Sequence, residues 1–417
     1  MMRVFRRRPN GELHSVAMLD GNRLFCEDER IDVSDLDHIL TADEPAGVRR
    51  EALCAEMERA GETGREALLR RLHDMLPSGL VLVESSAPPV YEHRFVPLPE
   101  GAGGLSVDPS GLPNGIFDPR RRIHEELGQR PSFSGARDKF LAVGERDGTT
   151  LRLRVPNDGE DGNLIVKPYC AMHPFLAECE RACTRMADVC GLDVPQAWTF
   201  EEPENGTRLE LPRTACAVAR FDLDPTGRKM ETYTLHTLAG GTEKDPYDMT
   251  TEELFGCARK FLDAGDCARL AEAYLFGRLI GNGNMHAGNF SILIQPSRAA
   301  RLAPIYGMLS THAVMNDDTL ALPLYGRDMP TAEDVADFLV PFIGADRAAR
   351  LTHDVARLAR PCIEETFPKE LRENPAVRAF VEKFVDRTIR RCDVMKTALA
   401  EREREPYEGM ADSIGLH

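Results

Sequence analysis

The spacing of apolar and polar positions changes character about half-way along the chain. Between residues 139 and 221 the apolar positions fall in short β-rich runs: Lys139-Phe-Leu-Ala-Val143, Thr150-Leu-Arg-Leu-Arg-Val155, Asn163-Leu-Ile-Val-Lys167, Ala197-Trp-Thr-Phe200, Arg208-Leu-Glu-Leu211 and Ala215-Cys-Ala-Val-Ala-Arg-Phe221. Gly and Asp separate the first three, which is the pattern of strands joined by tight turns in an antiparallel sheet. One helix interrupts the series, over Glu178–Cys190, and Gly191 is placed to close it as a left-handed C-terminal residue. After Tyr233 a helical period takes over and predicts helices over Thr251–Asp263, Cys267–Ile280, Ala332–Phe342, Arg347–Leu358 and Asn374–Glu401. A sheet-rich lobe followed by a helix-rich lobe is an α+β arrangement, and the cleft between such lobes is a favoured ligand site.

Ahead of the sheet, short strand candidates such as Leu24-Phe-Cys26 mix with charged helices over Val48–Glu58 and Arg65–Met75, which predicts a small α+β accessory module. The stretch containing Gly101-Ala-Gly-Gly104 and Pro109-Ser-Gly-Leu-Pro113 reads as a connector with no element of its own. The predicted organisation is therefore an accessory module (1–95), a connector (96–130), a sheet-rich lobe (131–222) and a helical lobe (223–417).

Composition narrows the function classes. At 417 residues and 42% hydrophobic content the chain can bury a large core. A formal charge of −16 argues against a general nucleic-acid or anionic-membrane surface, and Arg6-Arg-Arg8 is too short to overturn this. No apolar run approaches the ~20 residues that cross a bilayer, and the N-terminus lacks the apolar core of a signal peptide, so a cytoplasmic location is expected. The 11 cysteines contain no Cys-x-x-Cys pair and fit reduced, buried thiols. Cys179 and Cys183, one helical turn apart, fit core packing better than metal ligation.

The candidate chemistry centres on Leu279-Ile-Gly-Asn-Gly-Asn-Met-His-Ala-Gly-Asn-Phe290, which lies between an apolar helix and the β-prone Ser291-Ile-Leu-Ile294. Ordering so many glycines is entropically costly unless the segment holds something. Asn282, Asn284, His286 and Asn289 could hold a phosphate-bound metal or a hydroxyl-bearing substrate, yet the stretch contains no acid. Three further pieces accompany it. Ser132, Ser134, Gly135 and Ala136 form a small loop before the first strand, able to lay backbone N–H groups over phosphate oxygens. Lys167 ends an apolar strand, where it could hold nucleotide phosphates with Glu180 as its orienting partner. Arg220-Phe-Asp222 closes the sheet where the lobes meet and could line an adenine pocket.

Taken in order over roughly residues 130 to 330, these pieces resemble the HipA family of bacterial serine/threonine kinases, the toxins of a toxin–antitoxin system. Ser132-Phe-Ser-Gly-Ala-Arg-Asp-Lys139 resembles the family's glycine-containing loop, and Ile165-Val-Lys167 its nucleotide-binding strand. Glu180…Ala187…Gly191-Leu-Asp-Val-Pro195 resembles the helix and turn that follow, and Ala217-Val-Ala-Arg-Phe-Asp222 the hinge. Leu279–Phe290 resembles the catalytic loop, and Leu302-Ala-Pro-Ile-Tyr-Gly-Met-Leu-Ser-Thr311 the metal-binding segment. The resemblance implies a bilobal, protein-kinase-like α+β fold, ATP and Mg²⁺ as cofactors, and a protein partner, whether a kinase substrate, an antitoxin or a related kinase. It also implies that Ser132 and Ser134 are regulatory positions.

Two departures decide what the resemblance can mean. The family loop reads Gly-Asn-x-Asp-x-His-x-Lys-Asn, so Asn284 stands in the seat of the catalytic aspartate and Gly288 in that of the lysine, while His286 and the metal-binding Asn289 remain. The later segment reads Pro-x-Tyr-Asp in the family, and here Gly307 follows Pro304-Ile-Tyr306. An amide is a poor proton acceptor, and a single neutral oxygen grips a hard cation weakly. Lost general-base help alone typically costs about 10²–10⁴ in rate. The expectation is a pseudokinase that acts by binding, with nucleotide binding weak or independent of metal. The alternatives are an active Ser/Thr kinase inactivated at these positions, compensation by Asp245, Asp248, Asp317 or Asp318, and nucleotidyl transfer by a rearranged site.

Overall fold

A computed structural model describes residues 2–7, 13–20, 23–26, 57, 61, 63–64, 81–84, 94–113, 139–157, 160–201, 211, 213–224, 230–239, 247–294, 299–317 and 319–404. The loop carrying Ser132, Ser134, Gly135 and Ala136 lies outside these residues, as do most of the predicted helices at 48–58 and 65–75 and the predicted strand at 208–211. Four N-terminal strands, β1 (Met2–Arg7), β2 (Leu13–Asp20), β3 (Arg23–Cys26) and β4 (Val81–Glu84), form one antiparallel sheet in the order β3-β2-β1-β4. Val4, Ala17 and Leu19 are fully buried there.

A short parallel pair joins β5 (Arg94–Phe95) to β9 (Glu160–Asp161). The main sheet contains β6 (Ser106–Gly111), β7 (Phe140–Asp147), β8 (Thr150–Arg154), β10 (Leu164–Lys167), β11 (Ala197–Glu201) and β12 (Thr214–Ala219), in the order β11-β12-β10-β7-β8-β6. Period-two burial of Phe140 and Ala142, Leu151 and Leu153, and Leu164 and Val166 builds one face of its core. Every residue of β12 is buried, because Ala215, Ala217 and Ala219 join that core while Cys216 and Val218 pack against Ala177 of helix α1 (Leu176–Val189). A strand covered on both faces loses the alternation and reads as a continuous apolar run.

The stretch at 96–130 corrects the sequence reading. It contributes the edge strand β6, paired parallel to β8, so the sheet is mixed rather than wholly antiparallel. Its register slips between Asp108 and Gly111, and Pro109 sits in that irregularity, where a missing N–H costs no ladder bond. A Cβ on Gly111 would lie 2.4 Å from the Leu153 carbonyl oxygen, so only glycine lets the strands come this close. The Gly and Pro that suggested a connector are the means by which an irregular edge strand is built.

The helical lobe opens with β13 (Glu231–Thr234) and α2 (Leu235–Leu238), then α3 (Thr251–Phe261) and α4 (Ala264–Ile280). The hairpin β14 (Ser291–Ile294) and β15 (Ala300–Leu302) follows, then α5 (Thr311–Met315), α6 (Ala332–Ile343), α7 (Ala345–Glu365) and α8 (Pro375–Arg404). β13 pairs with β14, giving a three-stranded sheet β13-β14-β15 inside the lobe. α4 is its centre: Leu270, Ala271, Ala273, Tyr274, Leu275 and Phe276 are all buried, which accounts for its weak amphipathic pattern. α1 joins the lobes, since Cys179, Ala182, Cys183 and Met186 enter the helical core while Ala177 faces the sheet. Cys179 and Cys183 are thus core residues and free thiols, as are Cys190, Cys216, Cys257, Cys267, Cys362 and Cys392, all buried. Among the described residues no helix is long and apolar enough to cross a membrane.

Candidate functional site

The Gly/Asn/His stretch leaves α4 through Gly281, whose left-handed φ of 73° turns the chain back over the helix end. Asn282 N–H then donates to the Gly277 carbonyl at 2.8 Å. A Cβ at Gly277 would meet the Met285 sulfur at 2.1 Å, so a larger residue there would displace the Met285 side chain. Gly283 is clamped from two sides: its N–H donates to Thr311 Oγ1 at 2.8 Å, and its carbonyl accepts from Ala321 N–H at 2.7 Å. Thr311 Oγ1 also lies 3.1 Å from the Gly281 carbonyl and 3.0 Å from that of Asp317, so one hydroxyl gathers both flanks of the turn.

Asn284 emerges exposed from this clamp. Its N–H donates to Asn282 Oδ1 at 3.1 Å, and its carbonyl accepts from Asn289 Nδ2. The Tyr247 hydroxyl donates to Asn284 Oδ1 at 3.0 Å. The Tyr247 ring also lies 4.7 Å from the His286 ring. His286 Nδ1 accepts from Gly288 N–H at 3.1 Å and caps the short turn Ala287–Asn289, which leaves the ring proton of the neutral imidazole on Nε2. The sequence placed Asn284, His286 and Asn289 together, and the structure does so. Tyr247 was missed, since it lies 37 residues from Asn284 and carries no local signal.

Across the junction, Lys167 at the end of β10 pairs through Nζ with Glu180 Oε1 on α1, as the sequence predicts. The side chains are 18% and 5% exposed, so the lysine keeps some contact with solvent while the glutamate has almost none. Arg220 and Asp222 pair with each other through two bonds of 3.0 Å, and Arg220 Nη1 donates to the Gly162 carbonyl at 3.0 Å. This is a brace at the end of the sheet. Phe221 between them stacks on Tyr306, with centroids 5.0 Å apart and ring planes 22° apart. Tyr306 in turn reaches the catalytic-type loop: its hydroxyl lies 2.8 Å from Ser291 Oγ and donates to the Gly288 carbonyl at 3.1 Å. Burial pushes the Tyr306 phenol up to about 12, with the Ser291 bond opposing and the Asp222 charge adding to the rise.

The donor set for a divalent cation is poor. Asn289 offers one neutral amide oxygen, its amide nitrogen being bonded to the Asn284 carbonyl, and Gly307 offers no side chain. Among the described residues no group of three or more His, Cys, Asp or Glu is arranged to hold a metal ion. A hard cation such as Mg²⁺ needs several oxygens, carboxylates among them, and the described residues do not supply such a set. Of the acids suggested as substitutes, Asp317 accepts from Thr319 N–H at 3.0 Å in a local turn, and Asp245 and Asp318 lie outside the described residues. Gly307 has a φ of +66° with open space where a Cβ would stand.

Residues 131–368 match the family of HipA-like C-terminal domains. The chain belongs to this family. The α+β HipA-like fold anticipated from the motifs agrees with a solved structure, that of the Shewanella oneidensis HipA, HipB and operator DNA complex. The TM-score is 0.62 at 19% identity, over 89% of this chain and 88% of that one, a likeness of fold. The chain is also similar to two curated relatives that are named as kinases. One from Sinorhizobium fredii, named "Putative kinase Y4dM", is 27% identical over 263 residues, 61% of this chain. One from Haemophilus influenzae, named "Putative kinase", is 28% identical over 186 residues, 40% of this chain. The chain spans 64% and 52% of the length of these two relatives.

Proposed function

We propose that this HipA-like domain is a pseudokinase: it keeps the architecture of a phosphotransfer site, transfers phosphate feebly or not at all, and acts by binding a protein partner. The observation that carries this reading is the state of Asn284. Its loop is held in place by hydrogen bonds at Gly283, Asn282 and Asn289, yet its side chain is an amide whose oxygen accepts from Tyr247. Shape is retained where charge is lost. In kinase-type transfer an aspartate at this seat accepts or orients the substrate hydroxyl, and a second carboxylate pins the metal across the phosphates. Neither group stands at 284 or 307.

The Lys167–Glu180 pair supports retained affinity for a nucleotide triphosphate, with Lys167 as the phosphate contact. The poor donor set at Asn289 and Gly307 supports binding that gains little from Mg²⁺. Thermal-shift titrations with ATP, with and without Mg²⁺, separate these effects, because binding to the native state raises the melting temperature by mass action.

The partner proposed is a protein, as HipB is in the similar HipA complex. That complex also contains operator DNA, so the net charge of −16 on this chain is no ground for setting nucleic acid aside. Incubation with Mg²⁺ and ATP labelled, in parallel samples, at the γ or the α position, beside an Asn284→Asp/Gly307→Asp form, tests the activity half of the reading. No label is expected from the unaltered chain and some from the restored one. Robust transfer by the unaltered chain overturns the proposal, and label from the α rather than the γ position would mark a nucleotidyl transferase.

A further inference from the structure

We infer that Tyr247 is an internal occupant of the acceptor seat, a residue that must leave before any acceptor hydroxyl can enter. This rests on the assignment of Asn284 to the catalytic seat made above. A transferred phosphoryl group needs its acceptor hydroxyl within hydrogen-bond reach of the side chain at that seat, about 2.6–3.2 Å. The Tyr247 hydroxyl stands 3.0 Å from Asn284 Oδ1 and is itself a hydroxyl donating to that oxygen. It makes the contact that an incoming serine or threonine would have to make. The ring lies against His286 at 4.7 Å with a tilt of 43°, so the space beside the oxygen is filled as well as the oxygen.

The placement is built rather than incidental. Two residues on, Met249 is buried, and Thr250 closes a capping box with Glu253 at the start of α3. Thr251 N–H donates to the Pro323 carbonyl at 2.9 Å, and its hydroxyl lies 2.9 Å from that of the buried Tyr274. The chain leading away from Tyr247 is therefore fixed to the helical core. Yet Tyr247 itself is 49% exposed, an unusual outlay of aromatic surface if it served the core. A side chain anchored at its base, exposed on its outer face and hydrogen-bonded to the seat is suited to swing out when a partner presents a hydroxyl. The chemical class selected is then a protein segment able to displace a phenol, not a small hydroxylated metabolite. Where an aspartate occupies position 284, the same hydroxyl would meet a carboxylate and hold more firmly, since charge-assisted bonds are roughly twice as strong.

Two measurements on the full chain test this. In the first, 3-fluorotyrosine is placed at position 247 and its fluorine resonance followed. Asn284→Ala is expected to move the resonance to that of a solvent-exposed ring, and an unchanged resonance overturns the inference. In the second, the Asn284→Asp/Gly307→Asp form transfers label from ATP to myelin basic protein as a generic acceptor. Tyr247→Ala is expected to lower the acceptor KM by about tenfold or more, the factor matching one net hydrogen bond to a charged group. Tyr247→Phe, which keeps the ring on His286, should fall between. An unchanged or higher KM in Tyr247→Ala overturns the inference. A restored form that transfers nothing with any residue at 247 counts against the kinase ancestry of the site alone, because the fluorine measurement still decides the place of Tyr247.

Discussion

Phe221, the middle residue of the brace at the end of β12, stacks on Tyr306, and the Tyr306 hydroxyl reaches the carbonyl of Gly288. One aromatic pair thus links the sheet-rich lobe to the loop that carries Asn284 and His286. Offset stacking of this kind contributes about 0.5–1.5 kcal/mol beyond buried area. A double-mutant cycle with Phe221→Leu and Tyr306→Leu should give a coupling energy in that range by urea denaturation. Simple additivity of the two losses would show that the lobes are not joined here.

Removing the Tyr306 hydroxyl alone tests the second half of this link. Tyr306→Phe leaves the stack in place and deprives Ser291 Oγ and the Gly288 carbonyl of their shared partner. A loss of about 1–2 kcal/mol is expected. Because the phenol is pushed up to about 12, wild-type stability should be insensitive to this group up to pH 10. Its raised folded pKa means that its contribution is present in full below the ordinary tyrosine range and fades as the pH climbs toward the raised value.

Lys167→Met should abolish the ATP-dependent rise in melting temperature, a loss of about 10–100-fold in affinity if one charge-assisted phosphate contact is removed. Glu180→Gln should weaken binding less, because it removes the orienting partner and leaves the ammonium. Equal ATP shifts in wild type and Lys167→Met would remove Lys167 from the nucleotide site.

Asp266 offers a pH test of the scaffold. Only 1% exposed, it pairs with Arg269 and, at 3.1 Å, with Arg301, and accepts from Leu302 N–H at 3.0 Å. It thereby ties α4 to β15, the two elements that lead into the loop and into the Tyr306 segment. Burial alone would raise its pKa, but the Leu302 bond and the two guanidinium groups outweigh burial and hold the carboxyl below its ordinary range. A lowered folded pKa contributes stability above the unfolded value of about 3.9, lost as the pH falls through the folded value. Asp266→Asn should cost about 3 kcal/mol at neutral pH, and its stability should fall less steeply than wild type below about pH 4. Parallel acid-denaturation curves would show that the pairing has no such role.

Glycine substitutions at the site should divide sharply. A Cβ on Gly283 would lie 2.3 Å from the Thr319 carbonyl oxygen, a backbone atom that cannot turn away, so Gly283→Ala should unfold the loop region and lower the melting temperature by several degrees. Gly307→Asp faces open space, and its left-handed backbone is one that aspartate tolerates better than most residues, so it should fold with little loss. A Gly307→Asp form that fails to fold would mean that the restoration experiment needs Asn284→Asp alone.

Much of this organisation was legible in the residues themselves. The strands with period-two burial were predicted near their observed places, because one buried face leaves a plain alternation. Lys167 and Glu180 were legible as a pair because the strand-end lysine and the helix carboxylate are close in sequence. β6 was not, since its Pro109 and Gly111 mimic a linker and only the neighbouring Leu153 backbone explains them. Tyr247, Thr311 and Asp266 escaped for a related reason. Each acts through a partner 28 to 37 residues away, and no local pattern announces such a contact.

The pairing of β6 with β8 also bears on where this chain can be cut. The matched family region starts at residue 131, yet β6 lies at residues 106–111 and completes the sheet from outside that boundary. A fragment trimmed to the family limits would leave the hydrogen-bonding groups of β8 bare along one side. Bare sheet edges recruit other chains, so such a fragment should be prone to self-association, and a cut before residue 94 is the better choice for producing the two lobes alone.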